Sequence, residues 1–171
     1  MYTPTVYYWG RVLSSLMIQV CYPILLTLVI FFGLGAEMTF ENFFLFLLMS
    51  IASNLVGCAL AYMCGVCFND LQSAMRTADF LMNLFACLSG GFANAGTLPP
   101  FIKGLSYMSP NRYMNEAYVR RLVSGNPDRA KETLEVLGYH FGDFYCYMAM
   151  VVFFVVFFSV GWAGIIIKNS K

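Results

Sequence analysis

Charged residues sit at a few positions along this chain, and the stretches between them are long and apolar. No Asp, Glu, Lys or Arg occurs in the 25 residues between Arg11 and Glu37, the 28 between Glu41 and Asp70, the 23 between Asp79 and Lys103, or the 24 between Asp143 and Lys168. Crossing about 30 Å of hydrocarbon takes roughly 20 helical residues at about 1.5 Å each, so every interval is long enough to span a bilayer. Met148 to Val160 reads MAMVVFFVVFFSV, apolar all round a helix and without the alternation of a barrel strand. The pattern predicts an all-α, polytopic helical membrane protein with four transmembrane helices, near 15–36, 43–67, 76–97 and 145–167. The chain then divides into an N-terminal segment (1–14), three spans (15–97), a loop (98–144), a last span (145–167) and a tail (168–171).

Composition agrees with this reading. Apolar residues make up 60% of the 171 positions and charged residues 11%, against roughly 25% charged in a soluble domain. Arg11, Arg76, Lys168 and Lys171 flank the spans on one side, and Glu37 and Glu41 on the other. Bases near helix ends stay inside, so both termini are expected in the cytoplasm and the 98–144 loop outside or in a lumen. That loop carries six Lys/Arg of its own, interspersed with five acids. Tyr2, Tyr7, Tyr8 and Trp9 before the first span suit the headgroup zone. The start lacks a basic n-region and a small-residue cleavage site, so the first span is expected to persist.

Little in the sequence points to chemistry. The six cysteines, Cys21, Cys58, Cys64, Cys67, Cys87 and Cys146, lie in or beside predicted spans. Cys64 and Cys67 have redox or half-zinc spacing, but no second pair exists and the only histidine is His140, while a zinc site needs about four ligands. Asp70 and Asp79 read as helix-start groups, with Arg76 three residues before Asp79 offering an ion pair. No Walker pattern is present. No metal, catalytic group or cofactor is therefore expected on this chain, and no nucleic-acid partner; its surroundings are the lipid bilayer.

Packing signals are clearer. Ser53, Gly57, Ala61 and Gly65 recur every fourth residue, the spacing that lets helix backbones approach closely in lipid. Asn83 lies in the third predicted span, where a polar amide needs a partner in the bundle or in water, and is a candidate to face a cavity. Gly90-Gly91 invites a break and Pro99-Pro100 a stop. Residues 101–122 are too apolar for a solvated loop and too short for a crossing; they predict two short re-entrant helices broken at Ser109-Pro110. Arg112 and Glu116 within them form a candidate structural pair at i,i+4. A surface helix is expected at 128–137.

The aromatic–basic start YYWGRVLSSL, three close spans, the block SGGFANAGTLPPFIKGLSYMSPNRYMNEA and a short insert before the last span resemble the C-terminal part, spans three to six, of the permease domain of ATP-binding-cassette exporters of the G, or White, subfamily. The residues that carry this resemblance are Gly91-Phe92, Pro100-Phe101, Tyr107 to Pro110, Arg112-Tyr113 and Glu116-Ala117. It implies an outer gate at Gly91 and Phe92, where relatives commonly have leucines, and a substrate cavity lined by Met82, Asn83 and Ala86. It also implies that the first two spans and the ATPase domain, with its ATP and Mg, lie on another chain or on a missing part of this one. A second permease half, as a homo- or heterodimer, is implied likewise.

The function so implied is a part of the translocation pathway of an ATP-driven exporter of lipid-like or amphipathic molecules. The alternatives are a non-transporting four-span scaffold of tetraspanin-like architecture, against which the cysteine-free loop between Cys87 and Cys146 speaks, and a channel-like subunit, against which the lack of a regular polar stripe speaks.

Overall fold

A computed structural model of the chain describes the backbone of residues 4–34, 39–90, 99–123 and 127–169. Seven helices account for almost all of it, with no strand among the described residues: α1 (Pro4–Leu34), α2 (Phe40–Cys67), α3 (Leu71–Leu88), α4 (Pro100–Ser106), α5 (Pro110–Leu122), α6 (Pro127–Leu137) and α7 (Asp143–Asn169). The all-α polytopic architecture is as the hydropathy pattern requires. Three helices are long and apolar enough to cross a membrane, with candidate spans Trp9–Ile30, Phe40–Cys67 and Asp143–Lys168. The fourth expected span corresponds to α3, described as far as Leu88; its expected outer part falls at 91–97, outside the described residues. The first helix also starts earlier than expected, at Pro4 rather than near residue 15. Proline costs nothing at a helix start, where its missing N–H would have no partner.

Boundaries follow from local chemistry. Asp70 caps α3: its carboxylate accepts from the Ser73 backbone N–H at 3.1 Å and the Ser73 hydroxyl at 3.0 Å. These bonds hold its pKa below the ordinary carboxylate value. The expected Arg76–Asp79 ion pair is not made; Arg76 reaches back to Gln72 Oε1 at 3.5 Å. Helix α3 ends where Gly90 takes φ 84°, a left-handed conformation that glycine adopts without penalty. Helix α6 ends in a Schellman motif: Gly138 has φ 69°, Tyr139 N–H donates to Leu134 O at 2.9 Å and Gly138 N–H to Glu135 O at 3.0 Å. The two short helices α4 and α5 stand where the apolar loop pattern places them, each opened by a proline in its first turn.

Helix α2 is the hub and touches α1, α3, α5 and α7. The buried core joins Met49 and Val56 of α2, Ala117 of α5, and Cys146 and Met150 of α7, with Tyr113, Tyr118 and Phe153 packed against it. The tightest glycine contact among the described residues is between α7 and α2: a Cβ added at Gly164 would lie 2.8 Å from Val66 Cγ1. The Ser53–Gly65 stripe behaves differently along its length. Ser53 and Gly57 are half-buried, whereas Ala61 and Gly65 are exposed and a Cβ at Gly65 would meet nothing within 4 Å.

Candidate functional site: an amphipathic intramembrane cavity

Pro23 sits inside α1 and has no N–H to give to the carbonyl one turn back, that of Gln19. At membrane depth an unsatisfied carbonyl is costly. Asn54 of α2 supplies the missing donor: its Nδ2 lies 2.6 Å from Gln19 O and 2.9 Å from Gln19 Oε1. One amide thereby satisfies the break in α1 and fastens α1 to α2. One turn earlier in α2, Ser50 forms a second junction. Its hydroxyl donates to Phe46 O at 3.0 Å and accepts from Thr27 of α1 at 3.1 Å and from Tyr118 of α5 at 2.9 Å. Burial pushes the Tyr118 phenol up from its ordinary pKa and the bond to Ser50 opposes that shift; the hydroxyl stays protonated and donates. Tyr118 also stacks on Phe46, with ring centroids 4.3 Å apart.

These junctions leave a space of about 390 Å³ bounded by α1, α2, α3 and α5, with Tyr22, Pro23, Leu26, Gly57, Met82 and Met114 among its walls. Ser50, Ser53, Asn54 and Tyr118 bring polar atoms to the same walls. Ser53 donates to Met114 Sδ at 2.7 Å. A Cβ added at Gly57 would stand 3.2 Å from Met82 Cε, so the glycine makes room for that flexible side chain. The arrangement is mostly apolar with a few convergent polar groups, as ligand pockets generally are, and its two methionines can adapt to varied shapes.

The residues singled out in the sequence are distributed unevenly around this space. Met82 lines it; Ala86, one turn on, is half-buried; Asn83 is exposed and donates to Asp79 O in its own helix at 2.9 Å. Gly91 and Phe92 lie outside the described residues. Ser53, Gly57 and Ala61 line the cavity, while Gly65 does not. Gln19, Thr27, Ser50, Asn54 and Tyr118 escaped sequence reasoning. The signal was present: Ser50 and Asn54 are polar residues one turn apart in an otherwise apolar span.

A polar framework packs against the C-terminal end of α3. Three side chains beyond the membrane segments close the C-terminal end of α3, where carbonyls lack helical partners. Ser109 donates to Phe85 O at 2.7 Å, Tyr139 to Ser89 O at 3.1 Å, and Asn115 Nδ2 to Ser89 Oγ at 2.8 Å. Arg112, fully buried, donates to Gly138 O at 3.1 Å and to Ser106 Oγ, with its guanidinium 4.4 Å from the Tyr107 ring centre. Glu116 is also fully buried and takes Arg120, at 3.2 Å, as its ion-pair partner. The expected Arg112–Glu116 pair is thus replaced by the next turn of the helix. Arg120 and Arg121 both reach Asp143 at the start of α7. Burial raises the Glu116 carboxyl above its ordinary value, opposed by a bond from the Phe141 backbone and by Arg120 and Arg112.

Comparison with known proteins agrees with this architecture. Residues 1–121 match the family described as ABC-2 type transporter. Over 117 residues the chain is 26% identical to Protein white of Ceratitis capitata, covering 68% of this chain and 17% of that protein. Over 116 residues it is 32% identical to the Broad substrate specificity ATP-binding cassette transporter ABCG2 of Mus musculus, covering 66% of this chain and 17% of that protein. The match to Protein white of Drosophila melanogaster is 26% over 117 residues, with the same coverage. The chain therefore spans about a sixth of the length of these relatives.

Proposed function

The chain belongs to the ABC-2 type transporter family, in its G/White branch, and from that premise we propose that it forms part of the translocation pathway of an ATP-driven exporter of lipid-like or amphipathic small molecules. As a membrane permease domain, it takes its energy from ATP and Mg bound by an ATPase domain elsewhere. It works with the two preceding spans and with a second permease half. Its termini face the cytoplasm and its 98–144 loop faces outward.

The observation that supports this reading best is the 390 Å³ space between α1, α2, α3 and α5. Its apolar walls would take up the body of an amphipathic ligand. Asn54, Ser50 and Tyr118 offer hydrogen-bonding atoms without fixed charge, which suits variable ligands better than one obligatory ion pair. The breadth of substrates in the name of the mouse relative is compatible with such a lining. Met82 stands on this wall, and an outer gate near Gly91 and Phe92 would lie beyond it.

The test is transport by the assembled complex with Met82→Trp, which fills the space without adding charge. Efflux of a fluorescent amphipathic cation is expected to fall about tenfold while expression and thermal stability hold. Unchanged efflux would remove this space from the pathway.

A further inference from the structure

Helix α2 has a second cavity on its other side, and none of its lining residues carries a charge. A space of about 270 Å³ lies between α1, α2 and α7, with Trp9, Ser15 and Gln19 on α1, Tyr62 on α2, and Phe154 and Phe158 on α7 among its walls. It differs from the transport cavity in both walls and chemistry, and of the lining residues named on either side only Cys58 belongs to both. From Trp9 to Gln19 the slot follows α1 for about 15 Å at the helical rise. One end is aromatic: Trp9 lies 5.3 Å from Phe158, which stacks on Phe154 at 5.7 Å. At the other end Gln19 accepts from Asn54 through Oε1, and its own amide N–H₂ group makes no hydrogen bond among the described residues. Ser15 spends its hydroxyl proton on Arg11 O at 2.9 Å.

We propose that this slot is a binding site for the hydrocarbon chain of a bilayer lipid, held lengthwise between α1 and α7, with the aromatic rings at one end and the Gln19 amide at the other. All three walls are helices long and apolar enough to span the membrane, so the surrounding solvent is lipid. An uncharged, elongated lining selects an acyl chain over a headgroup, since a phosphate or ammonium would be buried without a counter-charge. Trp9 is itself part of the wall, which gives the site its own reporter.

The chain contains two tryptophans, so Trp162→Phe leaves Trp9 as the only one. The full chain would be placed in phosphatidylcholine bilayers containing increasing fractions of phosphatidylcholine brominated in its acyl chain, with brominated stearic acid as a second series. A binding site predicts Trp9 quenching that saturates at low mole fraction, and Ser15→Phe, which fills the slot, shifts half-quenching about tenfold upward. Saturation with one probe and not the other identifies the source of the chain. Quenching that rises in proportion to bulk mole fraction, as for lipid merely surrounding the protein, overturns the site. If Ser15→Phe does not fold, the shape of the Trp162→Phe curve decides. The readout is binding without transport, so its failure leaves the transport cavity untouched, and a failed efflux test leaves this slot untouched.

Discussion

The two sides of α2 solve the same packing problem with different chemistry. Toward α7 the contact is mainly steric, with Val66 against Gly164 and the Met49, Val56, Cys146 and Met150 cluster beyond, and a hydrogen bond joins the two helices near their ends, from the Tyr147 hydroxyl to Leu45 O at 2.8 Å. Toward α1 and α5 it is made through hydrogen bonds: Asn54 to Gln19, Thr27 to Ser50, Tyr118 to Ser50. In lipid there is little hydrophobic drive to bring helices together, so both close approach and polar contacts serve. The difference is that polar contacts also leave hydrogen-bonding atoms beside a cavity. The side that uses them brings several such atoms to its cavity, whereas the slot toward α7 is walled mainly by apolar and aromatic side chains.

The largest effect is expected on the steric side. Gly164→Leu must displace Val66, and overpacking of this kind costs about 1–3 kcal/mol. A fluorescence melt in detergent should show a lower midpoint, and a compensating Val66→Ala should recover part of it. If Gly164→Leu melts like the parent, close packing does not govern this face.

Asn54→Leu comes next. It strands the Gln19 carbonyl that Pro23 frees, at a cost of about 1–2 kcal/mol for an interhelical bond in a membrane protein. Pro23→Ala restores the helical donor, so the double variant should lose less than the sum of the single ones. Additive losses in the double-mutant cycle would break the link between the proline and the clamp.

A smaller and pH-dependent effect is expected at Glu116, which lies buried in α5 beside the polar side. Its pKa in the fold is raised above the ordinary 4.5. A raised carboxyl favours the protonated state, so its stabilising contribution is full below the unfolded value and is lost as pH rises through the folded one. Glu116→Gln should therefore be at least as stable as the parent at neutral pH and lack the gain that the parent shows on acidification. Glu116→Ala, which leaves a void beside Arg120, should be less stable than Glu116→Gln. Equal melts for the two variants would show that the site holds no packed volume beyond Ala, and a parent that gains nothing on acidification would count against the raised carboxyl.

The smallest effect belongs to Asn83→Leu. Asn83 bonds only within its own helix and is exposed in this chain, so the melt should not change. A change in substrate choice by the assembled complex, with stability held, would place it on the pathway beside Met82.

The sequence pattern was informative about elements and less so about partners. Charge-free intervals located α2 and α7 within a few residues because hydropathy is a property of each segment alone. The breaks at Ser109-Pro110 and Gly138 were legible too, since turn chemistry is local. The Asn54 clamp was not, because it depends on which helix lies beside Pro23. The choice of Arg120 over Arg112 by Glu116 had the same origin: both spacings are one helical turn, but Arg112 is engaged by Gly138, Ser106 and Tyr107 while Arg120 lies beside Phe141 and Asp143. The small-residue stripe pointed to close packing along α2; Gly57 stands close to Met82 of α3 and Ser53 bonds Met114 of α5, and a still tighter glycine contact lies at Gly164 of α7.

The central claim is that the cavity on the polar side of α2 takes the exporter's amphipathic ligand and that the slot on the α7 side takes no part in binding it. Equilibrium binding of one fluorescent amphipathic cation to the assembled complex in nanodiscs tests it most directly, with Met82→Trp on one side of α2 and Phe158→Ala on the other. The expected result is about a tenfold loss of affinity for Met82→Trp, worth about 1.4 kcal/mol, and no change for Phe158→Ala. Equal losses, or a loss confined to Phe158→Ala, would contradict it.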